Sequence, residues 1–167
     1  MKNGFTLMEL LVTLTIIGLV AALGFPTLRY FIQNNRAMSL STTFISDLAY
    51  ARSEAVRQGK TISICASANT EQTACGTEWQ NGWIIFLDHN GDGTLGSLNN
   101  RLRVHETLAP GTKISAASSR ITFSSSGFLL YGVGNYQLSA EDCTGNYGRR
   151  INLAGTGRLQ VINTPCP

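Results

Sequence analysis

One carboxylate, Glu9, stands near the start of an otherwise uncharged apolar run, Phe5 to Leu28, in GFTLMELLVTLTIIGLVAALGFP. A charge placed in hydrocarbon costs at least about 2.5 to 3.5 kcal/mol on insertion scales, so such a residue is by default a functional candidate. Four cysteines, Cys65, Cys75, Cys143 and Cys166, form an even set with no Cys-x-x-Cys spacing. In an exported domain that pattern predicts two disulfides; chain order favours Cys65 with Cys75 and Cys143 with Cys166, among three pairings that four cysteines allow. Zinc is disfavoured, because tetrahedral sites use close Cys or His pairs, and no cofactor is expected.

The stretch DHNGDG resembles the start of an EF-hand loop, with Asp88, Asn90 and Asp92 alternating and Gly93 at the turn. The twelfth position of such a loop supplies a bidentate Glu, and here it is Asn99. Asp, Asn and Gly are also what tight turns require, so Asp88–Gly93 is expected to connect strands, with no metal assigned. His89 and His105 have no motif partner, and neither SSSG nor GTGRLQ forms a nucleophile elbow or a phosphate loop. The chain is not expected to be an enzyme. Charge points elsewhere: from Arg101 onward there are seven basic and three acidic residues within a chain of net charge +3. Arg149, Arg150 and Arg158 are the candidates for holding a polyanion, although adjacent strand residues face opposite ways.

The elements that must carry these residues follow from hydrophobic period. The run from Phe5 to Leu28 reaches the roughly 20 residues that a bilayer-spanning helix needs and exceeds the apolar core of a cleaved secretory signal. Lys2 ahead of it orients the short end to the cytoplasm and exports the rest. Beyond it, Leu28, Phe31, Ile32, Met38, Leu40, Phe44, Ile45, Leu48, Ala55 and Val56 recur at helical spacing, with Arg36, Thr43, Asp47, Arg52, Glu54 and Arg57 between them. One long helix is expected, loosened at Pro26 and stopped at Gly59. After Gly59 the period changes to that of strands: KTISICA, GWIIFLD, RLRVHE, RITFS, FLLY, NYQLS, RRINL and GRLQVI, separated by turn residues. The fold class is therefore α+β: a helical spine packed on an antiparallel β-rich head. Trp83, inside WIIFL, is expected in the core; for Trp79, packing and an interface are both open.

The leader ending in glycine, the GFTLMEL junction and the exported head resemble the type IV pilins and pseudopilins. YARSEAVRQGK, SICASANTEQTACGTEWQNGWIIFLDHNGDG and SSGF resemble the GspH/FimT/FimU subgroup of minor pilins and pseudopilins. The resemblance implies that prepilin peptidase cuts after Gly4 and N-methylates Phe5, with Glu9 at the family's acidic position, where it meets the new amine within one subunit or between neighbours. It implies a leader at 1–4, a transmembrane or filament-core half-helix at 5–28, an amphipathic half at 29–59 and a periplasmic head at 60–167. The function implied is that of a non-catalytic minor pilin of a type IV pilus that primes assembly or occupies the tip. Its partners are other major and minor pilins and, before assembly, the bacterial inner membrane, crossed once, from which it passes into an extracellular filament. Two alternatives remain: a pseudopilin of type II secretion, and a pilin that binds double-stranded DNA in natural transformation. Members of the DNA-binding type carry Gly-Arg-x-Arg where this chain has Gly157-Arg158-Leu159-Gln160.

Overall fold

The computed structural model describes residues 6–141, 143 and 145–166, with the backbone alone for residues 23–27 and 29. Helix α1 (Leu7–Gln58) runs unbroken past Pro26, and its 52 residues span about 78 Å. Its start is set by Thr6, whose extended backbone and side-chain oxygen make it the N-cap, accepting the Glu9 N–H. Its end is a Schellman turn: Gly59 adopts φ 63°, Gly59 N–H meets Val56 O and Lys60 N–H meets Ala55 O.

Nine strands follow. They are β1 (Ile62–Ala66), β2 (Trp83–Leu87), β3 (Arg101–His105), β4 (Thr112–Ala116), β5 (Arg120–Phe123), β6 (Leu129–Tyr131), β7 (Gly134–Ala140), β8 (Gly148–Leu153) and β9 (Leu159–Thr164). They form two antiparallel sheets, ordered β3-β2-β1-β5-β6 and β4-β7-β8-β9. Eight of these coincide with the β-rich runs expected from the sequence; the ninth, β4, does not, because its TKISA has a single large apolar residue, Ile114, and its place is a sheet edge. Strand β1 lies in the middle of the first sheet and is buried throughout.

One core joins helix and sheets: Leu40, Phe44, Leu48, Ala51 and Ala55 pack with Ile62, Ile64, Trp83, Ile121, Phe123, Tyr136, Leu138, Ile151 and Leu153. The helical members recur at three and four residues, the spacing of one helix face. Phe44 sits at the centre, its ring 5.4 Å from Trp79 and 5.1 Å from Trp83 in edge-to-face contact. Both tryptophans are therefore core residues. Two expectations for the helix are corrected. The head buries apolar side chains of α1 from Ala37 onward; Leu28, Phe31 and Ile32 lie before it and are exposed, and Met38 and Val56 lie beyond it but off the buried face. Asp47, read as a polar filler, is buried at 5% exposure.

Candidate functional site

From Leu7 to Val20 every large apolar side chain of α1 is exposed, from 47% at Val12 to 77% at Leu7. A helix that is apolar all round is a helix destined for an apolar surround, whether bilayer or packed helices. Its polar side chains are satisfied within the helix: Thr13 donates to Leu10 O and Thr15 to Val12 O, each at 2.8 Å. Among the described residues no helix is long and apolar enough to cross a membrane; the 5–28 run includes residue 5 and the side chains of 23–27, which lie outside them. Gly4 and Phe5, the expected processing residues, also lie outside the described residues.

Glu9 is exposed and occupies the first turn of α1. There a carboxylate is favoured by the helix dipole. Thr6-Leu7-Met8-Glu9 also matches the capping-box signature, Ser or Thr followed three residues later by Glu, a local signal that the sequence reading passed over. Glu9 thus has a reason to exist within its own helix.

The head is fastened to α1 by two buried or half-buried polar contacts. Asp47 accepts from the Trp83 indole N–H at 2.8 Å and from Arg103 Nη1 at 2.9 Å; Arg103 in turn lies 3.8 Å over the Tyr50 ring. His105 stacks on Trp83 at 3.9 Å, and burial there lowers its pKa, partly opposed by Asp47 and Glu106. Arg52 donates to Gly127 O at 2.9 Å, Gly157 O at 3.1 Å and Thr156 O at 3.0 Å. One guanidinium thereby ties the β5–β6 turn of one sheet and the β8–β9 turn of the other to the helix.

Elsewhere the head holds its candidates in structural settings. Cys65 is bonded to Cys75 and Cys143 to Cys166, with Cα separations of 5.5 and 5.6 Å. Asp88 is buried after β2 and accepts from Gly91 N, Gly93 N and Ser63 Oγ, so protein donors occupy both its oxygens. Asp92 accepts from Thr94 and Asn90, which lowers its pKa. His89 is exposed in this turn. The three arginines do not converge. Arg149 shares the core-facing side of β8 with Ile151 and Leu153, while Arg150 turns outward and donates to Gln137 Oε1 at 3.2 Å. Arg158 lies in the turn before β9; Arg150 pairs with Ile162, four residues and roughly 13 Å further along the strand.

The family described as type II transport protein GspH matches residues 40–157, and the prokaryotic N-terminal methylation motif matches residues 1–25. No curated protein matches the chain. Among solved structures, the type IV minor pilin FimU of Pseudomonas aeruginosa is 24% identical with a TM-score of 0.60, over 77% of this chain and 89% of that one. In a second crystal form FimU gives 26% identity and a TM-score of 0.51, over 77% and 90%. The minor pseudopilin EpsH of the Type 2 Secretion System of Vibrio cholerae is 14% identical with a TM-score of 0.53, over 77% and 97%; at that identity the likeness is one of fold.

Proposed function

This chain belongs to the family of type II transport protein GspH, and from the N-terminal methylation motif and the likeness to the minor pilin FimU we propose that it is a minor pilin of a type IV pilus. In this reading it is a non-catalytic subunit that joins other pilins to prime the filament or cap its tip. Prepilin peptidase cuts after Gly4 and methylates Phe5, a step supported by the N-terminal methylation motif over residues 1–25. The 5–28 run holds the subunit in the inner membrane with its head in the periplasm, and later packs in the filament core.

The observation that carries the reading is the division of α1. From Leu7 to Val20 it exposes apolar side chains on all sides, while its second half is built into the head. A head alone has no need of such a half-helix; a subunit that passes from bilayer to filament core does.

Glu9 supplies the register in this scheme, since a buried ion pair is a poor source of stability but a good specifier of alignment. The expected outcome is that Glu9→Ala leaves membrane insertion intact and strongly reduces recovery of the chain in sheared filaments. Glu9→Gln separates its two roles, because glutamine keeps the capping box and lacks the charge. If Glu9→Gln is incorporated like the unsubstituted chain, pairing with the Phe5 amine is not the assembly key.

A second reading, a type II secretion pseudopilin, is favoured by the family's own description and by the shared fold with EpsH. Deletion in the native cell separates the two: loss of surface pili supports the first, and loss of exoprotein secretion with intact pili supports the second.

A further inference from the structure

The two sheets leave four edge strands, β3, β6, β4 and β9. An edge strand exposes unpaired backbone donors and acceptors, and folded proteins guard such edges with charges, bulges, short length or a covering segment. Three of the four are guarded. Strand β3 carries Arg101, Arg103 and His105 and shifts register against β2. Strand β6 has only three residues and a register shift, and its Leu129 N–H is taken by Gly155 O. Strand β4 carries Lys113 and lies against the turn Trp79–Asn81, from which the Gln80 side chain donates to Thr112 O.

Strand β9 has none of these guards. LQVINT contains neither charge nor proline, and its six residues pair with β8 in unbroken register. The Ala154 N–H meets Arg158 O, which sets the phase of the ladder. Gln160, Ile162 and Thr164 therefore exchange backbone hydrogen bonds with β8, while the N–H and C=O of Leu159, Val161 and Asn163 point away from it. Among the described residues no other backbone meets those outward groups. The two faces of the strand also differ. Leu159 and Val161 lie opposite Leu153 and Ile151 and share the side on which α1 packs. The helix lies over β7 and β8, and Val161, one strand further out, is 43% exposed. Gln160 is on the other side, opposite Asn152.

We propose that the β9 edge takes up an extended strand of a different pilin, with main-chain hydrogen bonds to Leu159, Val161 and Asn163 and with side chains alternating between apolar, beside Val161, and polar, beside Gln160. A second copy of this chain does not fit. Its unguarded edge is again β9, and two identical strands that pair antiparallel are related by a twofold axis perpendicular to the sheet. That axis turns α1, which lies flat on the sheet, through half a circle. The two apolar half-helices would then point in opposite directions and could share neither one membrane nor one filament core. Parallel pairing, about an axis along the strand, places the two helices on opposite faces of the joined sheet, apart from each other. A different subunit, offering another strand, can pair while its half-helix runs alongside. The inference rests on the filament-subunit reading above.

The test compares residue-resolved amide hydrogen exchange of the full-length chain free in detergent and in sheared filaments. In detergent Gln160, Ile162 and Thr164 are expected to be protected and Leu159, Val161 and Asn163 to exchange freely; in filaments the second set becomes protected too. Val161→Pro removes an outward N–H that β8 does not use. Its urea midpoint in detergent should match that of the unsubstituted chain, while its recovery in sheared filaments falls about tenfold, the effect of one hydrogen bond lost and not replaced. Val161→Ala keeps the N–H and should be recovered better than Val161→Pro. Differently tagged copies that both carry Val161→Cys should give no disulfide-linked pair on oxidation. The inference is overturned if the outward amides exchange alike in both states, if Val161→Pro is recovered like the unsubstituted chain, if Val161→Ala loses as much as the proline variant, or if the tagged copies cross-link. The exchange comparison uses the unsubstituted chain, so it decides the matter even where the proline disturbs the head. A chain present in filaments with its outward amides unprotected overturns the strand contact alone. A chain absent from every filament and secretion apparatus overturns the filament reading as well.

Discussion

Asp47 shows how a single residue decides whether the helix and the head are one body. Its carboxylate is buried, and it is the hydrogen-bond acceptor of the Trp83 indole N–H, whose ring lies at the core centre against Phe44 and under His105. Removing it leaves that N–H buried without a partner, which costs about 1–3 kcal/mol. The ion pair to Arg103 adds little beyond this, because Arg103 is 43% exposed on its side chain and solvent screens the pair. Asp47→Ala is therefore expected to lower the unfolding free energy by about 2 kcal/mol, and Asp47→Asn by less, since an amide oxygen still accepts from the indole. Urea titration of the full chain in detergent, followed by tryptophan fluorescence, measures both. Equal losses for the two variants would show that charge, rather than the hydrogen bond, is what the position supplies. The sequence gives no sign of this role: Asp47 falls at a helix position like any other polar residue, and hydropathy cannot say that the neighbour across the interface is an indole needing an acceptor.

At the scale of elements, the strands were legible where large β-branched and aromatic residues cluster, as in WIIFL, and illegible where they do not, as in TKISA. Helix α1 was legible in its second half, where the period is regular and Gly59 offers the left-handed turn its end requires, but its start at Thr6 and its continuation through Pro26 were not. The boundary of its buried face was not legible, since Phe31 and Ile32 carry the same period as Leu40 and Phe44. Only the position of the 106–110 loop, met by Arg36, shows where the head begins. The contacts that bring the two sheets together at one helix were likewise invisible, because Arg52 reaches residues 75 and 105 positions away. Arg52→Met keeps the stem and removes the donors. It is expected to speed amide hydrogen exchange in the turns 124–128 and 154–158 while leaving β1 and β2 protected, as local opening does when a tie between elements is lost. Uniform acceleration across the sheets would instead mark Arg52 as a determinant of global stability.

Over the whole molecule, burial and exposure divide the chain near Ala37. Everything the head needs lies beyond it: the core, both disulfides and both polar ties to the helix. Before it lies an apolar half-helix that, among the described residues, contributes nothing to the core. A chain starting at residue 29 is expected to stay soluble without detergent and to unfold at the same urea midpoint as the full chain. Aggregation of that truncated chain in light scattering would show that the half-helix also shields part of the head. The three carbonyl contacts of Arg52 then carry a mechanical meaning. A tug on the half-helix reaches the head through α1 itself, and at Arg52 the load is shared at once by a turn from each sheet. The edge strands β6 and β9, each entered through one of these turns, are thereby loaded together rather than one after the other.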